Sequence, residues 1–154
     1  LYPESDIHPR IDVVPVGMAF GPGGALYVAS FTGFPYPRGA ANIFRLEDAN
    51  DDGDAADEGE VTVFAEGFSV ATDLAFDGEG GLLVTEFSED MAAFGGVYDR
   101  EHARAAPGRL LRWRDGDSQV VSEGLVSPTA VAIVEGRVFV SEEFAGRVSE
   151  VRVP

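Results

Sequence analysis

Apolar residues in this chain fall in short runs of strand length, each stopped by glycine, proline, aspartate or asparagine. The runs repeat. Pro15-Val16-Gly17-Met18-Ala19-Phe20 returns as Ala71-Thr72-Asp73-Leu74-Ala75-Phe76 and again as Pro128-Thr129-Ala130-Val131-Ala132-Ile133, at offsets of 56 and 57. A second run follows each of these: Ala25 to Phe31, Gly81 to Phe87, and Arg137 to Val140. The intervening turns, Gly21-Pro22-Gly23-Gly24, Asp77-Gly78-Glu79-Gly80 and Glu135-Gly136, supply the positive φ that a hairpin needs. Third runs come at Ile43-Phe44-Arg45-Leu46, Leu110-Leu111-Arg112-Trp113 and Val148-Ser149-Glu150-Val151. A fourth occurs twice, at Val61 to Phe68 and Gln119 to Leu125, each closing on Glu-Gly and an apolar residue.

Four short strands per unit, repeated at this period, mark the blade of a β-propeller. The pattern predicts an all-β chain of three four-stranded blades, half of a six-bladed propeller. Residues 1–154 then form a single propeller segment, with blades at about 15–70, 71–127 and 128–154. The third unit shows only three strands, and Arg10-Ile11-Asp12-Val13-Val14 reads as the strand (10–14) that completes a blade, within the chain or exchanged between chains. Three wedge-shaped sheets cannot enclose a channel, so the end faces are expected to meet further blades or another copy. Exchange in a non-closing geometry would give a polymer.

Long segments separate the second and third strands of two units, Thr32 to Ala41 and Ser88 to Pro107. Loops of this kind carry specificity. Asp99 to Ala105 is expected to form a short helical turn, ended by Pro107-Gly108.

Charge narrows the partners. The net charge is −16, and all 11 basic residues are Arg. That field repels phosphate backbones and anionic lipid, so no nucleic-acid partner is expected. No run approaches the length of a membrane span. The acidity fits either solubility by self-repulsion or adaptation to high salt. With no Cys, thiol catalysis, Cys-zinc sites and disulfides are excluded.

The stretch Thr32-Gly33-Phe34-Pro35-Tyr36-Pro37-Arg38-Gly39-Ala40-Ala41-Asn42-Ile43-Phe44-Arg45 resembles the ScyD/ScyE family of β-propeller proteins. Val70 to Asp77 and Ser127 to Ala132 are similar to the blades that follow it there. The resemblance covers nearly the whole chain and lies on the last three blades of longer members. It implies a propeller fold and an extracellular or cell-surface location, and it brings no catalytic residue. The acidic loop and the Ser88 to Pro107 segment depart from that pattern.

The acidic loop Asp48-Ala49-Asn50-Asp51-Asp52-Gly53-Asp54 fits the opening of an EF-hand-type loop. Asp48, Asn50 and Asp52 occupy the first three oxygen-ligand positions, Gly53 permits the turn, and Asp54 follows with its carbonyl. Gly59 stands where a bidentate Glu is usual, leaving Asp57, Glu58 or Glu60 to substitute; Asp57 completes the predicted set. A structural calcium ion is expected there, and the plainer reading is a solvated acidic turn.

Candidates for chemistry are sparse. His8 and His102 lie outside the strands, where loop histidines are usually solvated. A metal-dependent lactonase would place ligands at the channel mouth. The matching columns read Val16, Thr72, Thr129 and Gly17, Asp73, Ala130, with only Asp73 able to ligate. A further column reads Ser30, Glu86, Glu142, with Glu143 adjacent; these are ligands or, more simply, polar caps at strand ends. Tyr27, Phe31, Phe34, Tyr36 and Phe87 line a ligand-binding face or fill the core, the latter favoured for Tyr27. Phe34-Pro35-Tyr36-Pro37 is expected to pack at a blade or subunit junction. The sequence therefore predicts a non-catalytic, extracellular scaffold or interaction module that self-associates or joins additional propeller blades. The alternative is a lactonase-like hydrolase whose site forms on assembly.

Overall fold

The computed structural model describes residues 13–153. Its strands form three antiparallel meanders. The first runs β1 (Val13–Phe20), β2 (Leu26–Thr32), β3 (Ala41–Leu46) and β4 (Val61–Phe68). The second is β5 (Ala71–Phe76), β6 (Leu82–Glu86), β7 (Gly108–Arg114) and β8 (Asp117–Leu125). The third is β9 (Pro128–Val134), β10 (Arg137–Glu142) and β11 (Arg147–Val151). Two tight hairpins use paired positive-φ residues, Asp115-Gly116 (φ 54° and 88°) and Glu135-Gly136 (φ 52° and 76°). Their twist matches that of the flanking strands.

The three sheets are blades of a β-propeller, stacked with the first strands β1, β5 and β9 adjoining. Thr72 Oγ1 donates to the Pro128 carbonyl (3.0 Å), and the Val131 N–H donates to Asp73 Oδ2 (2.9 Å), tying β5 to β9. One core lies between the first two blades and contains Tyr27, Ala29, Ile43, Leu74, Val84 and Leu111. Another lies between the second and third, with Leu83, Leu110, Leu125, Val131, Val138 and Val140.

Two expectations are corrected. Val13 and Val14 pair with Thr32 and Phe31, so they belong to β1 and not to a separate strand completing another blade. They extend β1 because its partner β2 continues to Thr32 and offers ladder positions there; Arg10, Ile11 and Asp12 lie outside the described residues. The third blade accordingly has three strands among the described residues, with order β11-β10-β9, not four. The predicted helical turn is present as α1 (Arg100–Ala105), whose N-cap Asp99 accepts from the N–H groups of Glu101 and His102.

Register shows how the blades correspond. In the second blade Leu74, Val84 and Leu111 are aligned across β5, β6 and β7 and face the first blade. Their equivalents in the first blade, Met18, Val28 and Phe44, are aligned across β1, β2 and β3 on the face with no blade before it among the described residues. Leu74 is 3% exposed and Met18 is 61%; Phe20, equivalent to Phe76, is 74% exposed. At the other end Val148 is 69% exposed, while its second-blade equivalent, Leu110, is fully buried. Both end faces thus carry side chains of a kind the same repeat buries internally.

Candidate functional site

Each inner strand carries a register irregularity near its start: between Pro15 and Met18 in β1, between Ala71 and Asp73 in β5, and opposite Ser141 and Glu142 in β9. An extra residue at such a bulge re-aims the neighbouring side chains. The result is a floor of Val16, Thr72 and Thr129 under a cleft of about 460 Å³.

The walls come from the corresponding β2–β3, β6–β7 and β10–β11 ends of the three blades. Phe31 and Tyr36 belong to the first, Phe87, Met91 and Tyr98 to the second, and Glu143 and Phe144 to the third. The loops brace one another. Phe31 and Tyr36 stack edge-on with centroids 5.7 Å apart, and Phe87 meets Phe144 at 6.3 Å. The neighbouring Tyr36 hydroxyl raises the Tyr98 phenol above its usual pKa. Arg100 Nε donates to the Phe144 carbonyl (2.7 Å). Beneath them Met91, Phe94, Ala103 and Ala106 form a buried cluster with Val70 and Phe87. The Phe34–Tyr36 stretch therefore divides: Tyr36 packs at the junction of two blade loops, whereas Phe34 is 85% exposed. Tyr27 fills the core, as expected.

The carboxylates of the candidate lactonase columns have structural partners. Asp73 accepts from the Val131 N–H, and burial raises its pKa despite the opposing hydrogen bonds from the Val131 and Leu74 N–H groups. Glu86 is fully buried, accepts from the Ser69 N–H (2.7 Å) and pairs with Arg109 across β6 and β7. Glu142 repeats the arrangement in the third blade, accepting from the Val126 N–H (2.8 Å) and pairing with Arg147 across β10 and β11. Burial pushes the Glu142 carboxyl upward, but Arg147, Ser149 and the Val126 N–H outweigh it and hold the group below its usual value. In the first blade Ser30 occupies this place and accepts from the Asn42 N–H (2.9 Å). Glu86 and Glu142 thus tie the incoming segment to each blade.

The acidic loop joins β3 to β4. The Asp48 carboxylate accepts from the N–H groups of Asp52 (3.1 Å) and Gly53 (2.9 Å). Asn50 Nδ2 donates to Asp57 Oδ2 (2.7 Å) and Asp52 Oδ2 (3.2 Å), bringing these three together. Asp54 turns to the Ala56 N–H. Glu60 is buried at the loop's base and accepts from the Ala49 and Asp57 N–H groups. Among the described residues no three His, Asp or Glu side chains converge on a point that could hold a metal ion.

Met91, Tyr98, Glu143 and Phe144 were not among the aromatics and acids that sequence reading joined into one face, although Glu143 was named beside Glu142. The usable signal was the shared position of their loops in the repeat.

The family described as "Domain of unknown function (DUF7133)" matches residues 8–95. No curated protein matches the chain. Among solved structures, the chain is similar to a provisionally assigned gluconolactonase at 12% identity and a TM-score of 0.49, covering 91% of this chain and 48% of that one. This chain therefore spans about half the length of that structure.

Proposed function

The chain belongs to the DUF7133 family, and we propose that it acts as a non-catalytic propeller module, joined through its end faces to further blades and binding ligand on its loop face. The repeat correspondence carries this reading: Met18, Phe20 and Val148 are exposed at positions whose counterparts another blade covers or half-covers. Such apolar sheet faces favour association. Against a channel hydrolase, the acids nearest the inner strands already serve as ties between strands and blades.

Self-association of the isolated chain is the expected result, with Met18→Ser/Phe20→Ser returning it to a monomer. Native mass measurements test this. Like charge of −16 per copy opposes association, so added salt should strengthen it by screening. A wild-type monomer that remains folded and dispersed in both low and high salt would overturn the assembly reading.

The β3–β4 loop forms the second part of the proposal, a structural calcium site built from Asp48, Asn50, Asp52, Asp54 and Asp57. Support comes from the ligand spacing and from the approach of Asn50, Asp52 and Asp57. Calcium at about 10 to 100 times its dissociation constant would stabilise the fold by about 1.4 to 2.7 kcal/mol, or roughly 5 °C in Tm for a chain of this size. Asp52→Ala should remove that gain and leave the chelated protein nearly unchanged. Equal losses with calcium and with chelator would count against the site.

A further inference from the structure

We infer that the loop-face cleft binds an organic cation, a quaternary or tertiary ammonium group, through its aromatic walls and the Glu143 carboxylate. This deepens the reading of the loop face as a binding face and rests on it. The walls contain five aromatic rings and the thioether of Met91. Several of these rings are only partly buried; Tyr98 is 50% exposed. Aromatic rings attract cations electrostatically, and attraction is greatest when the cation gives up its water readily.

The polar groups decide the sign. Glu143 is the charged residue of the lining, and among the described residues its carboxylate makes no hydrogen bond or ion pair. The threonine hydroxyls already have partners, Thr72 with Thr85 and Pro128 and Thr129 with Ser141. Among the described residues no Arg lines the cleft, and the nearby Arg100 turns its Nε to the Phe144 carbonyl. An anionic ligand would meet an unpaired carboxylate within a strongly acidic protein, whereas a cation is drawn to both.

The lining also argues for alkylated nitrogen. A metal ion or primary ammonium holds its hydration shell tightly and calls for several oxygen donors. Among the described residues this cleft offers one free carboxylate, set among apolar carbon. An alkylated ammonium spreads its charge over methyl groups and can be desolvated against rings. The volume of about 460 Å³ accommodates such a head group with a short chain.

Choline and 3,3-dimethylbutan-1-ol provide the test, since the two share a shape and differ in charge. Titration of the intact chain, followed by NMR and calorimetry, should show choline binding at least about tenfold more tightly. Glu143→Gln should weaken choline about five- to tenfold and leave the neutral alcohol unaffected. This variant should keep the wild-type Tm, since Glu143 is exposed. Tyr98→Leu should weaken choline as well, giving a second variant on another loop. Equal affinity for the two compounds would overturn the cation assignment while sparing the binding face. Binding of neither at millimolar concentration would overturn both.

Discussion

Glu142→Ala is expected to destabilise the fold by about 3 kcal/mol, measured by chemical denaturation. The side chain is buried where β10 ends, and its oxygens accept from Arg147, Ser149 and the Val126 N–H. Alanine leaves the incoming backbone at Val126 without this acceptor and opens the tie between the second and third blades. Glu86→Ala should have a similar effect through Ser69 and Arg109. Ser30→Ala should cost only about 1 kcal/mol, since one neutral hydrogen bond is lost.

Acid provides a second reading of the same tie. The Glu142 pKa is depressed in the folded state, so its contribution is fully present above the unfolded value of about 4.3 and is lost as pH falls through the folded value. Removing the carboxylate should flatten this part of the stability profile below about pH 5. Parallel acid limbs for wild type and Glu142→Ala would show that Glu142 is not responsible.

Phe94→Ala is expected to lose about 3 to 4 kcal/mol. Phe94 is fully buried, with its ring 5.9 Å from that of Phe87 and 5.7 Å from that of Tyr98. It anchors the insertion between β6 and β7 beneath the cleft. Alanine should leave a cavity there, while Phe94→Leu should cost less than about 1.5 kcal/mol. Hydrogen exchange should report faster opening across 88–107 in the alanine variant. Unchanged exchange would show that other contacts hold the insertion.

The strands were legible because their cause is local. Alternation and glycine-rich turns predicted Ala71 to Phe76 and Arg137 to Val140, and both strands form, the latter extended to Glu142. Asp99, followed by Arg100 to Ala105 and then Pro107-Gly108, likewise marked a short helix by capping and termination signals. Val13 and Val14 suit any sheet edge, so the sequence did not assign them to β1; their pairing with Thr32 and Phe31 was settled by the length of β2. Periodicity cannot choose between equivalent partners.

The acids show the same division more sharply. Their positions at strand ends were visible, but a carboxylate that binds metal and one that receives backbone N–H groups need the same residue type. Burial and the approach of Arg109 and Arg147 made Glu86 and Glu142 ties. The cleft was visible only in fragments, because Tyr36, Tyr98 and Phe144 meet through the stacking of blades. The repeat, the blade strands and the strong negative charge follow from residue type and near-neighbour order alone. Which apolar side chains stay exposed on the end faces, which acids remain free and which rings share a wall, among the described residues, followed from the packed fold, since those depend on contacts between residues distant along the chain.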